Sequence, residues 1–199
     1  MEQAESILEY WFGTEADDVV AAKQYADLWW KKNPEVDKEI GERFGSLLDA
    51  AVNGSLDDWL ADARGRLAMI ILVDQFSRNI YRGTPRSFAS DSFARAWCKG
   101  GLEVGADRML RPIERVFFYL PMEHSESLDD QVRSVALCKE LAESVPDAHR
   151  ELFDGYLNYA VRHCEIVERF GRFPHRNAIL GRESTDEEIA FLAKPGSSF

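Results

Sequence analysis

The chain has 199 residues, 45% hydrophobic and 30% charged, the composition of one soluble globular domain, and this excludes extended disorder. Thirty-five acidic against 24 basic side chains give a net charge of −11, which argues against nucleic-acid binding. Three cysteines, at 98, 138 and 164, have neither the pairing of a disulfide framework nor the spacing of zinc ligands. The longest apolar run, Leu67–Val73, is far shorter than the ~20 residues of a membrane helix. Glu2, Glu5 and Glu9 stand where a signal peptide would carry positive charge, so a cytoplasmic location away from membranes is expected.

Helical periodicity runs through almost the whole chain. A first helix is predicted over Ala4–Phe12 and closed by Gly13. The next two are predicted over Val20–Trp30 and Pro34–Val52, the second opening on Pro34 and ending before Asn53-Gly54. Ser55 is placed to cap a fourth, with Asp57 and Asp58 in its first turn and Leu56, Trp59/Leu60, Ala63, Leu67 and Ile70/Ile71 on its apolar stripe. Further helices are expected over Ser87–Val104, Pro112–Tyr119, Leu128–Ser144 and Asp147–Phe170. A last one follows Ser184-Thr185, with Glu187 three residues after Ser184 as in a capping box. No segment alternates long enough to read as a strand, and no linker divides the chain. The expected class is all-α: one domain over 1–199, of about eight or nine helices, with short turns joining antiparallel hairpins.

Charge is segregated along the chain. Residues 78–86 hold Arg78, Arg82 and Arg86 and no acid; residues 169–182 hold Arg169, Arg172, Arg176 and Arg182, again with no acid. These two segments carry +7, leaving −18 on the other 176 residues. All seven bases are arginine although seven lysines lie elsewhere, and arginine's planar fork is what bidentate contact to carboxylate or phosphate requires. Both segments are predicted to leave a long helix and enter a Gly/Pro loop. On the helix feeding the first, the apolar stripe continues into Asp74 and Arg78, an i, i+4 pair that must join a network or line a cavity. On the helix feeding the second, His163 interrupts the stripe Phe153, Tyr156, Ala160, Val167, Phe170 and reads as a hydrogen-bonded core residue. A third polar cluster, His124-Ser125-Glu126, follows Pro121 and can either cap the next helix or present acid–base groups.

Three blocks carry a resemblance to a known family: Asp74-Gln-Phe-Ser-Arg-Asn-Ile-Tyr-Arg-Gly-Thr-Pro-Arg-Ser-Phe-Ala-Ser-Asp91, Tyr119-Leu-Pro-Met-Glu-His-Ser-Glu126, and Arg169-Phe-Gly-Arg-Phe-Pro-His-Arg-Asn177 with Leu180-Gly-Arg-Glu-Ser-Thr-Asp-Glu-Glu188. They resemble the bacterial DUF924 family over nearly the whole chain, from Leu8-Glu-Tyr-Trp-Phe-Gly13 onward, with Ser77 where a proline is common. The resemblance implies a TPR-like stack of helical hairpins and implies no activity.

The site expected from these residues is an arginine-lined polar pocket for a small anionic ligand or a peptide carboxylate. Its ligand-binding candidates are Asp74, Arg78, Asn79, Arg82, Arg86, Arg172, Arg176 and Asn177. His124, His175 and Glu126 are the acid–base candidates if the site is an enzyme's, since two loop histidines beside charged groups can titrate near neutrality. A third reading makes the arginines a structural network, with Asp74, Asp91 and Glu126 as partners, in a scaffold that binds proteins. No metal or cofactor motif is present: His163-Cys164-Glu165 lacks a second ligand one turn on, and no Gly-rich phosphate loop or nucleophile elbow occurs. His149 reads as solvated, Cys138 and Cys164 as core, and Trp29, Trp30, Trp59, Phe117, Phe118 and Tyr119 as core aromatics. The sequence does not set the oligomeric state.

Overall fold

Leu67–Val73 forms the axis of the molecule. In the computed structural model, which describes residues 2–197, this run and Phe76 are fully buried, as expected of a helix that is apolar all round. The run belongs to a continuous helical rod: α4 (Ala63–Ile70) passes through a π-helical turn (Ile71–Phe76) into α5 (Ser77–Ile80). Around it pack α1 (Glu2–Phe12), α3 (Pro34–Val52), α6 (Asp91–Glu103) and α7 (Pro112–Glu123). The second helix, α2 (Asp18–Trp30), closes over α1 and α7. Two long helices, α8 (Leu128–Ser144) and α9 (Arg150–Phe170), are joined by a short turn and form a hairpin against α7. Two short helices, α10 (Asn177–Leu180) and α11 (Asp186–Leu192), end the chain over a small separate cluster of Ile166, Val167 and Phe173. The architecture is all-α, with no strand among the described residues.

Local chemistry accounts for most boundaries. Asn33 accepts from the Glu35 and Val36 amides ahead of Pro34, and Gly13, Gly171 and Gly181 take the left-handed conformation that ends α1, α9 and α10.

Four expectations need correction. The fourth helix is not capped by Ser55, whose hydroxyl binds Asn53; Asp57–Ala61 is a 3₁₀ turn, Asp62 is extended, and its carboxylate accepts from Gly65 N at 2.9 Å to start α4. A Cβ on Gly65 would stand 2.3 Å from the Trp59 carbonyl, so this chain reversal requires glycine. The sixth helix begins at Asp91 because Pro85 directs Pro85–Phe88 into a separate 3₁₀ turn. The helix from Pro112 continues past Tyr119 to Glu123: Pro121 lies in its last turn, where the missing N–H removes a single intrahelical bond. The final capping box pairs Thr185 with Glu188, one residue later than expected, because Glu188 is also buried against Arg172.

Three single residues also differ. His149 is mostly buried, with Nε2 3.4 Å from Asp17. Cys164 is half-buried at the surface of α9. Trp30 stacks on Phe117 yet stays 48% exposed.

Candidate functional site

Asp74 puts a carboxylate inside the apolar rod, which is tolerable only if every lone pair is met. The π turn supplies the geometry: the widened ring brings the Ser77 amide to the Leu72 carbonyl, while Ser77 Oγ donates to the Val73 carbonyl at 2.7 Å. Asp74 Oδ1 then accepts from Arg78 Nη2 at 3.0 Å and His124 Nδ1 at 2.8 Å, and Oδ2 from Gln75 Nε2 at 2.5 Å. Arg78 Nη2 also donates to Asp91 Oδ1 at 3.1 Å, tying the rod to the first turn of α6.

The second arginine segment reaches the same cluster through Arg176. Arg176, 7% exposed, donates from Nη1 to the His124 carbonyl at 2.9 Å. Its guanidinium lies between the Phe88 ring at 4.9 Å and the Phe173 ring at 4.4 Å. Asp91 is its nearest acid, at 3.9 Å, outside hydrogen-bond range, and among the described residues its buried Nε has no partner. The Arg78 Nε is likewise buried without one.

Titration behaviour follows from this packing. Burial works to raise Asp74, but the His124 imidazole and the Arg78 guanidinium outweigh it and hold the carboxyl below its usual range. An ionised Asp74 can only accept, so the His124 proton is assigned to Nδ1, leaving Nε2 as the basic nitrogen. Burial pushes His124 down; Asp74 offsets part of this, while Arg78 and Arg176 add to it, so the ring is neutral near pH 7. Burial also lowers Arg176 to about 10, with Arg78 acting the same way. Behind His124, burial and the Asp74 charge raise Glu123 to about 8, and burial lowers His163 to about 3. His163 donates from Nδ1 to the Tyr159 carbonyl at 2.8 Å, with Glu123 Oε1 at 3.2 Å, as a core histidine should. His175 packs on Phe173 with a ring separation of 5.6 Å, and burial lowers it to about 4.

A clasp holds the second segment in place. Glu126 accepts from the Phe173 amide at 2.8 Å and takes both ends of the Arg182 fork, at 2.7 and 2.9 Å. Arg182 in turn donates to Asn177 Oδ1 at 3.0 Å. Arg172 binds both oxygens of Glu188, which is lowered to about 2 chiefly by that contact.

The structure thus brings together Asp74, Arg78, His124 and Arg176, with His175 alongside, and places Glu126, Arg172 and Asn177 in the supporting clasp. It does not bring the rest. Asn79 and Arg82 both bind Asp37 on α3, Arg86 lies 3.9 Å over the Tyr81 ring, and Arg169 pairs with Glu187 in solvent. Among the described residues, six of the seven arginines have an acid within 4.0 Å and Arg86 does not. Two concavities of the surface, about 470 and 240 Å³, lie elsewhere, one bordered by Leu102, Asp107 and Arg133 and the other by Val132, Val161 and Cys164. In the candidate cluster, His124, Arg78 and Asp91 are partly exposed. Phe88, Phe173 and Glu123 went unread as site residues. The two phenylalanines do stand inside the arginine segments' own sequence blocks, while nothing marked the burial of Glu123.

The body is all-helical among the described residues, with a buried arginine–aspartate–histidine cluster assembled from three separate segments. The model of DUF924, described as a bacterial protein of unknown function, matches residues 7–196, and the chain belongs to that family. Its fold is similar to the solved structure of the protein of unknown function ATU0120 from Agrobacterium tumefaciens, at 37% identity and a TM-score of 0.80 over 96% of this chain and 97% of that one. No curated protein matches the chain. No helix among the described residues is long and apolar enough to cross a membrane.

Proposed function

We propose that this protein is a helical binding module whose Arg176, assisted by Arg78, holds a small carboxylate or related oxyanion, free or at the end of a peptide. The observation that carries the reading is Arg176 itself. A buried guanidinium normally has its donors met by acids or carbonyls. This one is clamped by two aromatic faces and one carbonyl, with its nearest acid beyond hydrogen-bond reach. That is a pre-organised donor edge, and guanidinium forks match carboxylate geometry. The hairpin of α8 and α9 supports a stack of helical hairpins of the TPR type as the scaffold.

A second reading, a purely structural arginine network, is favoured by the acids already beside Arg78, Arg82, Arg169, Arg172 and Arg182. One experiment separates the two. Thermal shift against succinate, phosphate and short peptides with free C-termini is expected to give a stabilising hit that Arg176→Ala abolishes. A ligand at ~100 times its Kd adds about 2.7 kcal/mol, a shift of several degrees. No hit, together with a large fall in the Tm of Arg176→Ala, supports the structural network.

A further inference from the structure

We propose that His124 is a general base and that the site hydrolyses small esters bearing a carboxylate, with water as the nucleophile. The inference rests on the anion site proposed above: Arg176 holds the carboxylate, and His124 works beside it.

The geometry is that of an oriented imidazole. Asp74 Oδ1, 2.8 Å from Nδ1, sets the tautomer and the ring plane. Among the described residues no hydrogen bond reaches Nε2, and the side chain keeps 17% of its surface exposed. Arg176 bonds the backbone carbonyl of the same residue, so imidazole and guanidinium keep a fixed relation. Every element packed here contributes a charged or titratable group: Asp74 and Arg78 from the rod, Asp91 from α6, Glu123 from α7, His163 from α9, and His175 and Arg176 from the turn before α10. Of these, the ionised Asp74 and the neutral His124 form the acid–base pair, and Glu123 is kept protonated behind them.

The neighbouring hydroxyls are engaged: Ser77 with the Val73 carbonyl, Ser87 with the Thr84 carbonyl and Ser125 with Asp130. Water is therefore the nucleophile. Its proton passes to Nε2 as its oxygen bonds the ester carbonyl carbon, leaving a negative charge on the carbonyl oxygen. Collapse of the tetrahedral intermediate breaks the bond to the alcohol oxygen, which takes the proton from the imidazolium. One water is consumed, and a carboxylic acid and an alcohol are released.

The probe is mono-4-nitrophenyl succinate, followed by 4-nitrophenolate absorbance, with succinate binding measured separately by calorimetry. The wild-type protein is expected to accelerate hydrolysis saturably, with kcat flat near pH 7 and falling as His124 protonates in acid. His124→Gln should lower kcat about 100-fold or more while still binding succinate. Equal rates in the two proteins, with succinate bound by both, would overturn the base and leave the anion site standing. Absence of both binding and turnover in the wild type would overturn both. Diethyl pyrocarbonate on the wild-type protein provides a readout that needs no variant: His124 should be modified at pH 7 and protected by succinate. Modification of His149 with His124 untouched would contradict the proposal.

Discussion

His124 Nδ1 lies 2.8 Å from Asp74 Oδ1, joining residues fifty positions apart in the chain. This bond links the end of α7 to the π turn of the central rod, and Arg176 closes the triangle by binding the His124 carbonyl. Three segments that are polar within an otherwise apolar interior therefore stabilise one another, and removing any one leaves a buried charge or donor unmet.

Asp74 is the member whose loss should cost most. Asp74→Asn keeps the shape but removes the charge that faces Arg78 and His124, and uncompensated buried charges of this kind typically cost ~3–5 kcal/mol. At this chain length that corresponds to a fall in Tm of roughly 6–15 °C. Differential scanning calorimetry measures it directly, and a change under a degree would mean that Asp91 alone suffices for Arg78.

Stability should peak near pH 6.5. His163 and His175 have folded values of about 3 and about 4, below the ordinary imidazole value, so the stability gained by keeping them neutral is present above ~6.5 and is lost as pH falls toward those values. Glu123 acts in the opposite sense. Its folded value of about 8 lies above the unfolded one, so its contribution is full below ~4.3 and is lost as pH rises through 8. Urea unfolding across pH 4–9 should show both limbs.

Glu123→Gln isolates the alkaline limb. A neutral isostere removes the proton that the buried carboxyl must otherwise retain, at about 1.4 kcal/mol per unit of pKa difference. The variant should match or fall slightly below wild type at pH 5 and exceed it at pH 8.5, by Tm. An identical alkaline decline in both proteins would place that titration elsewhere.

Glu126 should control the clasp without controlling the core. Glu126→Ala frees the Phe173 amide and the Arg182 fork, leaving the segment over 171–192 held by Arg176 on the His124 carbonyl and by the small Ile166–Val167–Phe173 cluster. Hydrogen exchange of that segment should accelerate while α4 and α7 stay protected. Acceleration spread evenly over the chain would show instead that the clasp unfolds only with the whole domain.

Much of this was legible in the chain itself, for identifiable reasons. Apolar periodicity and end signals such as Pro34, Gly13 and Gly171 are local, and α1, α3, α8 and α9 follow them closely. The Asp74–Arg78 pair was legible because i, i+4 spacing survives even through a π turn. Ser55 and the Ser184–Glu187 pair misled because tertiary contacts chose between adjacent caps: Gly65 against Trp59 in one case, and Glu188 against Arg172 in the other. Counting arginines against local acids overstated the free positive charge, since Asp37, Glu187 and Glu188 pair with them from distant positions or across turns. That Arg176 lies over Phe88 and Phe173 with its nearest acid beyond hydrogen-bond reach is set by tertiary packing, and no spacing rule encodes that.

The central claim is that Arg176 is the anion-holding residue, and isothermal titration of succinate into the wild-type protein and Arg176→Lys at low ionic strength tests it most directly. The lysine variant keeps the charge but loses the planar fork and the aromatic sandwich. The account predicts saturable binding to the wild type that weakens at least tenfold in the variant, a loss of about 1.4 kcal/mol. Equal heats and equal affinities in the two proteins, or no binding to the wild type, would contradict it.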